Sequence, residues 1–500
     1  MQLYNTKSRE LEKFKPLHDR EVKVYYCGPT VYNYAHIWNL RTFIFEDIVV
    51  KTLKFIWYNV KTTMNITDVD DKTIRDSMKA WVDLKSFTEK YTESFLKDIK
   101  KLWIEQADNV IPVSTLIPEM VRMINTMLKR KNAYLSDDWS IYFDVKSFSK
   151  YWKLANLDMK WMKSGVRIDN DEYEKDSASD FALWKSWKET DWENFWEEEF
   201  EVNWKKVIVK WRPGWHIECS ACNIKHFWPQ IDIHMWGVDL IFPHHQNEIA
   251  QTEACTRKEF TKYWLHSGHL MVDWKKMAKS AGNFYTLRDI EKKYINPPLT
   301  HLSNQGGGKV NSSVLYRAIR LWFINAKYSS SMDFSFSKLE ANINTINSID
   351  ETLKTLSREI ESWEKNVVWI SRDYRDFMQE IMQEYVLNLE DDFNVPEALA
   401  VFHSLLKFIN TWIRDKELSL EELISLKDLL RTFNQVLWIF DFDIVENIDE
   451  IPLEITEKLN LRNTAKKDKD FELSDKLRDE LLELWYKIID SREGSVLEKI

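Results

Sequence analysis

The chain has 500 residues, of which 44% are hydrophobic and 30% charged, and its formal net charge is −10 at pH 7. That length exceeds what one hydrophobic core serves and implies about two to four domains, and no run of roughly 18 or more apolar residues offers a membrane-spanning helix. The negative balance excludes indiscriminate attraction to nucleic acid, and four cysteines without a dense framework exclude a disulfide scaffold.

Met1 to Lys7 lead into alternating charges rather than a basic segment followed by an apolar one, so the expected compartment is cytoplasmic. The run 22–26 predicts a buried strand, the turn at Gly28 and Pro29 follows, and a helix is expected over about 38–53. A second β-rich run at 60–64 makes residues 1–115 one half of a doubly wound, Rossmann-like parallel sheet, with its crevice at the strands' carboxyl ends. Residues 116–206 read as an inserted connective domain, with a strand at 140–144 and an acidic stretch at 189–201.

Sheet-like sequence resumes at 207–209 and continues through 231–234 and 239–242, so 207–290 is expected to complete the α/β domain and to carry a lysine-rich loop. Residues 291–335 read as a linker whose Pro297-Pro298 and Gly306-Gly307-Gly308 bound a flexible insertion. Beyond Phe336 apolar residues recur at helical spacing, as at Phe377, Ile381, Tyr385 and Leu389, which predicts a helical bundle over 336–500. The basic stretch 462–478 is either an RNA-contacting patch or a solvated helix face.

Some residues carry chemistry. His244 and Glu248 stand four apart, on one face of a helix, and Cys27 and Cys219 come from separate segments ending near the same crevice. Two thiolates, an imidazole and a carboxylate suit Zn²⁺, although spacing alone leaves His245 in competition with His244 and is compatible with an ordinary polar pair. Cys219 and Cys222 form a C-x-x-C without a second such pair, so a zinc ribbon is not expected and Cys222 and Cys255 are read as packing residues. His36-Ile37-Trp38-Asn39 at a helix start could donate hydrogen bonds to phosphates, and Lys276 and Lys279 of Lys276-Met277-Ala278-Lys279-Ser280 could bring positive charge to the same anion.

These two motifs, with Tyr26-Cys27-Gly28-Pro29-Thr30, Asn65-Ile66-Thr67-Asp68, Arg212-Pro213-Gly214-Trp215-His216 and Phe242-Pro243-His244-His245, occur in an order that resembles the cysteinyl-tRNA synthetase family of class I aminoacyl-tRNA synthetases. The resemblance runs from about Tyr25 to the C-terminus. It implies an enzyme that activates cysteine with ATP and Mg²⁺ to an adenylate and transfers it to the 3′ end of tRNA(Cys), acting as a monomer with no membrane partner. It also implies His36, Asn39, Lys276 and Lys279 as catalytic residues, and Cys27, Gly28, Thr67, Trp215 and Asp239 around cysteine and adenosine. Cys27, Cys219, His244 and Glu248 would be the Zn²⁺ ligands, and 336–500 the anticodon-binding region.

Asn39 stands where the class-wide motif has a second His, and Ala278 where it has Ser. A cysteine ligase of the mycothiol pathway resembles the catalytic half but lacks an anticodon-binding region, and a catalytically dead RNA- or metal-binding paralogue is the reading from a different class.

Trp accounts for 24 residues and Gly for only 10, an inversion of usual composition. At Trp38, Trp57, Trp139, Trp152, Trp211, Trp228, Trp236, Trp274, Trp438 and Trp485 the family would have glycine, whereas Trp184, Trp215 and Trp264 match family tryptophans. The expectation is a gene that uses UGA for glycine. Taken literally, Trp38 and Trp236 would crowd the nucleotide.

Overall fold

The computed structural model describes residues 1–151, 153–155, 180–187, 194–272, 274–277, 282–296, 310–363, 372–415, 418–442, 453–468, 470–484, 486–490 and 495–499. Met1–Phe440 forms one compact unit and Asp441–Ile500 a second.

The first unit opens with a hairpin of β1 (Gln2–Asn5) and β2 (Glu10–Lys13). Then β3 (Glu21–Tyr26), α1 (Ile37–Phe55), β4 (Asn59–Ile66), α2 (Asp71–Lys79), α3 (Leu84–Lys101) and β5 (Asn109–Pro112) follow. After α4 (Ile117–Lys129) come β6 (Ala133–Leu135), β7 (Ile141–Phe143), β8 (Phe181–Ser186), β9 (Trp196–Val202) and β10 (Lys205–Pro213). Next are α5 (Trp215–Phe227), β11 (Ile231–Gly237), α6 (Gln246–Thr256) and β12 (Thr261–Ser267).

Five parallel strands make the central sheet in the order β12–β11–β3–β4–β5. Strands covered on both faces need nearly continuous apolar character, and β11 is buried at every position. Helix α1 is likewise buried at every position from Leu40 to Leu53, so its charged residues must find internal partners. Arg41 donates to the carbonyl oxygens of Gly268, His269, Tyr328 and Ser330 at 2.5 to 3.3 Å, and burial lowers its guanidinium pKa to about 10. The Asp47 carboxylate accepts from Lys51 Nζ at 2.7 Å and from Arg320.

Two expectations are corrected. The run 207–209 does not resume the parallel sheet: it lies in β10, which pairs antiparallel with β8 and β9 in the inserted sheet β6–β7–β8–β10–β9. The parallel sheet resumes only at β11. The run 239–242 is not a strand, since Val238–Leu240 is a turn of helix and Ile241–His245 a further short turn leading into α6.

Strands β13 (Leu270–Val272) and β14 (Lys275–Lys276) form a hairpin, and α7 (Leu287–Tyr294) and α8 (Ser312–Ile324) precede β15 (Met332–Phe334), which pairs with β13. The insertion at 297–309 lies outside the described residues. Helices α9 (Phe336–Glu361), α10 (Arg372–Glu390), α11 (Val395–Asp415) and α12 (Leu420–Leu437) complete this unit with apolar stripes such as Leu339, Ile343, Ile346 and Leu353. The second unit holds α13 (Leu453–Lys467), α14 (Phe471–Glu483) and an antiparallel pair, β16 (Tyr486–Asp490) and β17 (Ser495–Lys499). Its core gathers Ile455, Leu481 and Tyr486, so the last residues are not purely helical. Among the described residues no helix is long and apolar enough to cross a membrane.

Candidate active site and metal centre

Cys27 follows β3, Asn65 and Thr67 lie at the end of β4, and His244 follows β11, so three chain segments deliver polar groups at the strands' carboxyl ends. Cys219 comes in from α5 and Glu248 from the first turn of α6. One ligand atom each of Cys27, Cys219, His244 and Glu248 lies within 4.8 Å of every other, and all four residues are buried. His244 Nε2 is 3.4 Å from Cys219 Sγ and 3.1 Å from Glu248 Oε1, and Cys27 Sγ is 3.9 Å from the same carboxylate oxygen.

Burial, with Cys219 adding to it, raises the Glu248 carboxyl to about 8, and burial pushes the Cys27 thiol up. Three acids and an imidazole brought this close in the interior favour an arrangement in which a cation offsets their charge.

A second set, Cys27, His234, His245 and Glu248, also meets the geometric condition. In it His245 Nε2 lies 3.7 Å from Cys27 Sγ and 4.0 Å from Glu248 Oε1, looser than the distances His244 makes. It also contains one thiol rather than two.

Around the four residues lies a polar shell that sequence reasoning missed. His216 Nδ1 faces His244 Nδ1 at 2.9 Å, which directs the other ring nitrogen of His244 to Cys219 and Glu248. His234 Nε2 takes the second oxygen of Glu248 at 3.0 Å. His245 Nδ1 faces His266 Nε2 at 2.8 Å, and His266 Nδ1 meets Thr6 Oγ1 at 2.8 Å. Burial lowers the pKa of His216, His234 and His245 well below the usual imidazole value, and that of His266 to about 3, so these rings act as neutral hydrogen-bonding groups.

Asn65 is the other omission. Its Oδ1 accepts from Tyr25 OH at 2.7 Å and from the Gly28 N–H at 2.9 Å, with Cys219 Sγ at 3.7 Å. Its Nδ2 donates to Thr67 Oγ1 at 3.1 Å, and Thr67 donates to Glu218 at 3.0 Å. A Cβ at Gly28 would overlap the backbone oxygen of Asn65, so only glycine lets β3 and β4 close here. The Trp215 ring stands 4.2 Å from that of His244, which puts an indole beside the cluster.

His36 is the N-cap of α1, its Nδ1 accepting from the backbone N–H of Asn39 at 3.2 Å. The next residue, Ile37, donates its N–H to the Tyr285 carbonyl at 2.9 Å, and the His36 and Phe284 rings are 5.0 Å apart. The two motifs are therefore joined in space, through the residues that follow the lysine segment. Lys276 ends β14, whereas Lys279 lies outside the described residues. Asp239 is exposed just past Gly237 at the end of β11.

Trp236 is buried in β11 with its ring 5.2 Å from Phe43, and Trp38 is half-buried with its ring 5.2 Å from His269.

A parallel sheet with an antiparallel insertion, its polar centre at the carboxyl ends and a helix N-terminus packed against Phe284 and Tyr285, is the architecture of a class I aminoacyl-tRNA synthetase catalytic domain. Residues 13–305 match the model of tRNA synthetases class I (C) catalytic domain, and residues 384–441 that of the DALR domain. Curated proteins named cysteine–tRNA ligase match along nearly all of both chains. That of Leptospira interrogans serovar Lai is 38% identical over 99% of this chain and 98% of its own. That of Brachyspira hyodysenteriae is 38% identical over 98% of each, and that of Methanosarcina mazei 36% identical over 100% and 99%.

Among solved structures, Mycobacterium tuberculosis methionyl-tRNA synthetase bound by methionyl-adenylate aligns with a TM-score of 0.55 at 13% identity, over 85% of this chain and 90% of that one. An Agrobacterium radiobacter LeuRS in a ternary complex aligns with a TM-score of 0.58 at 10% identity, over 85% of each. The chain belongs to the cysteinyl-tRNA synthetase family.

Proposed function

We propose that this chain is a cysteine–tRNA ligase that activates cysteine with ATP and Mg²⁺ and transfers it to the 3′ end of tRNA(Cys). Full-length identity to curated cysteine–tRNA ligases supports the activity. The observation that carries its amino-acid choice is the buried cluster of Cys27, Cys219, His244 and Glu248. Its two sulfurs, one imidazole nitrogen and one carboxylate oxygen suit Zn²⁺ better than the one-thiol alternative. When bound, Zn²⁺ supplies a soft Lewis acid that prefers a thiolate to a hydroxyl, and so distinguishes cysteine from serine.

The chain's own residues do the rest. His216 and His234 hold His244 and Glu248 in orientation, and Gly28, Thr67 and Trp215 wall the amino-acid pocket. His36 and Asn39, at the positive end of α1, face the phosphates, and Asp239 lies toward adenosine. The cysteine carboxylate attacks the α-phosphorus, a P–O bond to pyrophosphate breaks, and Lys276 and Lys279 stabilise the departing charge. Catalysis then rests on positioning and charge, with no acid–base pair among these residues.

The domain reading goes with this function: 1–115 and 207–290 as the two catalytic halves, 116–206 as the connective insertion, 291–335 as the acceptor-stem linker and 336–500 as the anticodon-binding region. The enzyme is read as a cytoplasmic monomer. Charging of a tRNA(Cys) transcript with labelled cysteine tests the proposal. Cysteine attached to that tRNA and not to a control tRNA is expected, and its absence with a folded protein would refute it.

A further inference from the structure

Among the described residues fourteen non-glycine positions have a left-handed backbone, and seven of them are tryptophan: Trp57, Trp81, Trp103, Trp139, Trp204, Trp274 and Trp438, with φ from 52 to 72°. The other seven, Arg9, Arg20, Lys131, Asn203, Arg257, Asp392 and Phe393, are spread over five residue types. Only one glycine, Gly282, is left-handed there. A bulky aromatic residue is among the least suited to this conformation, and glycine among the best.

Each of the seven sits where local geometry asks for glycine. Helices α1, α2 and α3 end alike: the N–H of Trp57 reaches the Lys54 carbonyl and that of Tyr58 the Leu53 carbonyl, both at 3.0 Å. Trp81 and Val82 repeat this onto Met78 and Ser77, and Trp103 and Ile104 onto Lys100 and Ile99. This paired closure is the Schellman motif, whose left-handed residue is usually glycine. Trp438 ends α12 with a single bond to the Asn434 carbonyl at 3.1 Å, the simpler left-handed cap.

The other three occupy hairpins. Val202 pairs with Lys205, so Asn203 and Trp204 form a two-residue loop with both φ values positive, at 49 and 65°. That turn favours Asn-Gly above other pairs. Val272 pairs with Lys275, which makes Trp274 the second residue of another two-residue loop. Between β6 and β7 the Trp139 N–H closes a turn onto the Ser136 carbonyl at 2.9 Å and then adopts φ 66°, the place of glycine after a type I hairpin turn.

Exposure agrees. Trp57, Trp81 and Trp204 are 85%, 85% and 82% exposed, whereas Trp184 and Trp264 are fully buried and have ordinary backbone. An indole pointing into water at a left-handed turn contributes no core.

We infer that the natural protein carries glycine at positions 57, 81, 103, 139, 204, 274 and 438, encoded by UGA codons that a glycine tRNA of its source cell reads. Positions 81, 103 and 204 are assigned by backbone geometry alone. Trp38, Trp211, Trp228 and Trp236 have no left-handed backbone to decide them, and Trp152 and Trp485 lie outside the described residues.

Peptide mass spectrometry of the protein isolated from its own cells tests this, together with the codons of its gene. Glycine masses at all seven positions, TGA codons there and TGG at Trp184 and Trp264 are expected. Tryptophan masses or TGG codons at the seven would overturn the inference. An independent check of the backbone argument compares Trp204→Gly with Trp204→Ala in the recombinant chain. Trp204→Gly is expected to raise the thermal midpoint by several degrees and to exceed Trp204→Ala, since both remove the indole and only one relieves the left-handed turn. Equal midpoints would refute the geometric argument.

Discussion

Cys27 Sγ and Cys219 Sγ stand 3.8 Å apart although 192 residues separate them in the chain. They are not joined by a disulfide, and both are buried. Two reduced thiols this close, with a buried imidazole and carboxylate beside them, form a group that could hold a metal ion, and the proposal places the substrate cysteine beside it. Cys219→Ser is expected to lose bound zinc and to lower the preference for cysteine over serine by about 10–100-fold, because the oxygen is a harder and weaker ligand. Metal analysis and adenylate formation with each amino acid check it. Undiminished zinc with unchanged preference would show that another set holds the metal.

Lys279→Ala should lower the rate of adenylate formation by about 100–1,000-fold while changing the cysteine Michaelis constant little, because the proposed role of its ammonium is on charge that develops only as pyrophosphate departs. Single-turnover kinetics separate the two effects. A raised Michaelis constant with an unchanged rate would contradict the role.

Arg41 offers a prediction of stability rather than chemistry. It donates to four carbonyl oxygens that the residues after β12 and the segment at 328–330 bring to α1. Arg41→Met removes the donors; the His269 and Tyr328 carbonyls still accept from the N–H groups of Met332 and Gly268, which leaves those of Gly268 and Ser330 without this partner, at about 1–3 kcal/mol for each that stays unsatisfied. Urea unfolding should show a loss of at least about 2 kcal/mol. An unchanged midpoint would mean that the carbonyls find water instead.

Removing 441–500 separates two roles. Met1–Phe440 is compact by itself and includes all but the last residue of the DALR match, whereas a cut at Phe336 would strip away the segment whose Leu437 carbonyl accepts from the buried Arg320 Nε at 2.7 Å. The shortened protein is expected to retain cysteine-dependent pyrophosphate exchange and to lose about tenfold or more in tRNA charging, as removal of Lys458, Lys466 and Lys467 would weaken phosphate contacts. Full charging would place tRNA recognition entirely within the first unit.

Much of this was legible in the sequence. The apolar runs that become β3, β4 and β11 and the helix α1 follow from local pattern, as does the order of the motifs. The sheet to which 207–209 belongs did not follow, because an apolar β run is compatible with either sheet and only its pairing with β8 and β9 decides. The 239–242 run misled for a related reason: four apolar-rich residues are too few to distinguish strand from turn. Asn65 and the histidines at 216, 234 and 266 were passed over because their partners lie 14 to 40 residues away or more, on other elements. Sequence spacing left His244 and His245 equivalent. In the folded chain they face different partners, His244 toward Cys219 and Glu248 and His245 toward His266 and Cys27.

The most direct test of the central claim is amino-acid-dependent exchange of labelled pyrophosphate into ATP, run on protein with glycine at the seven left-handed positions and at Trp38 and Trp236. A cysteine–tRNA ligase predicts exchange with cysteine, at least about 1,000-fold weaker exchange with serine because a hydroxyl cannot replace the thiolate at a soft metal, and none without zinc. No exchange with cysteine from folded, zinc-loaded protein would contradict the enzyme reading and favour a catalytically dead paralogue.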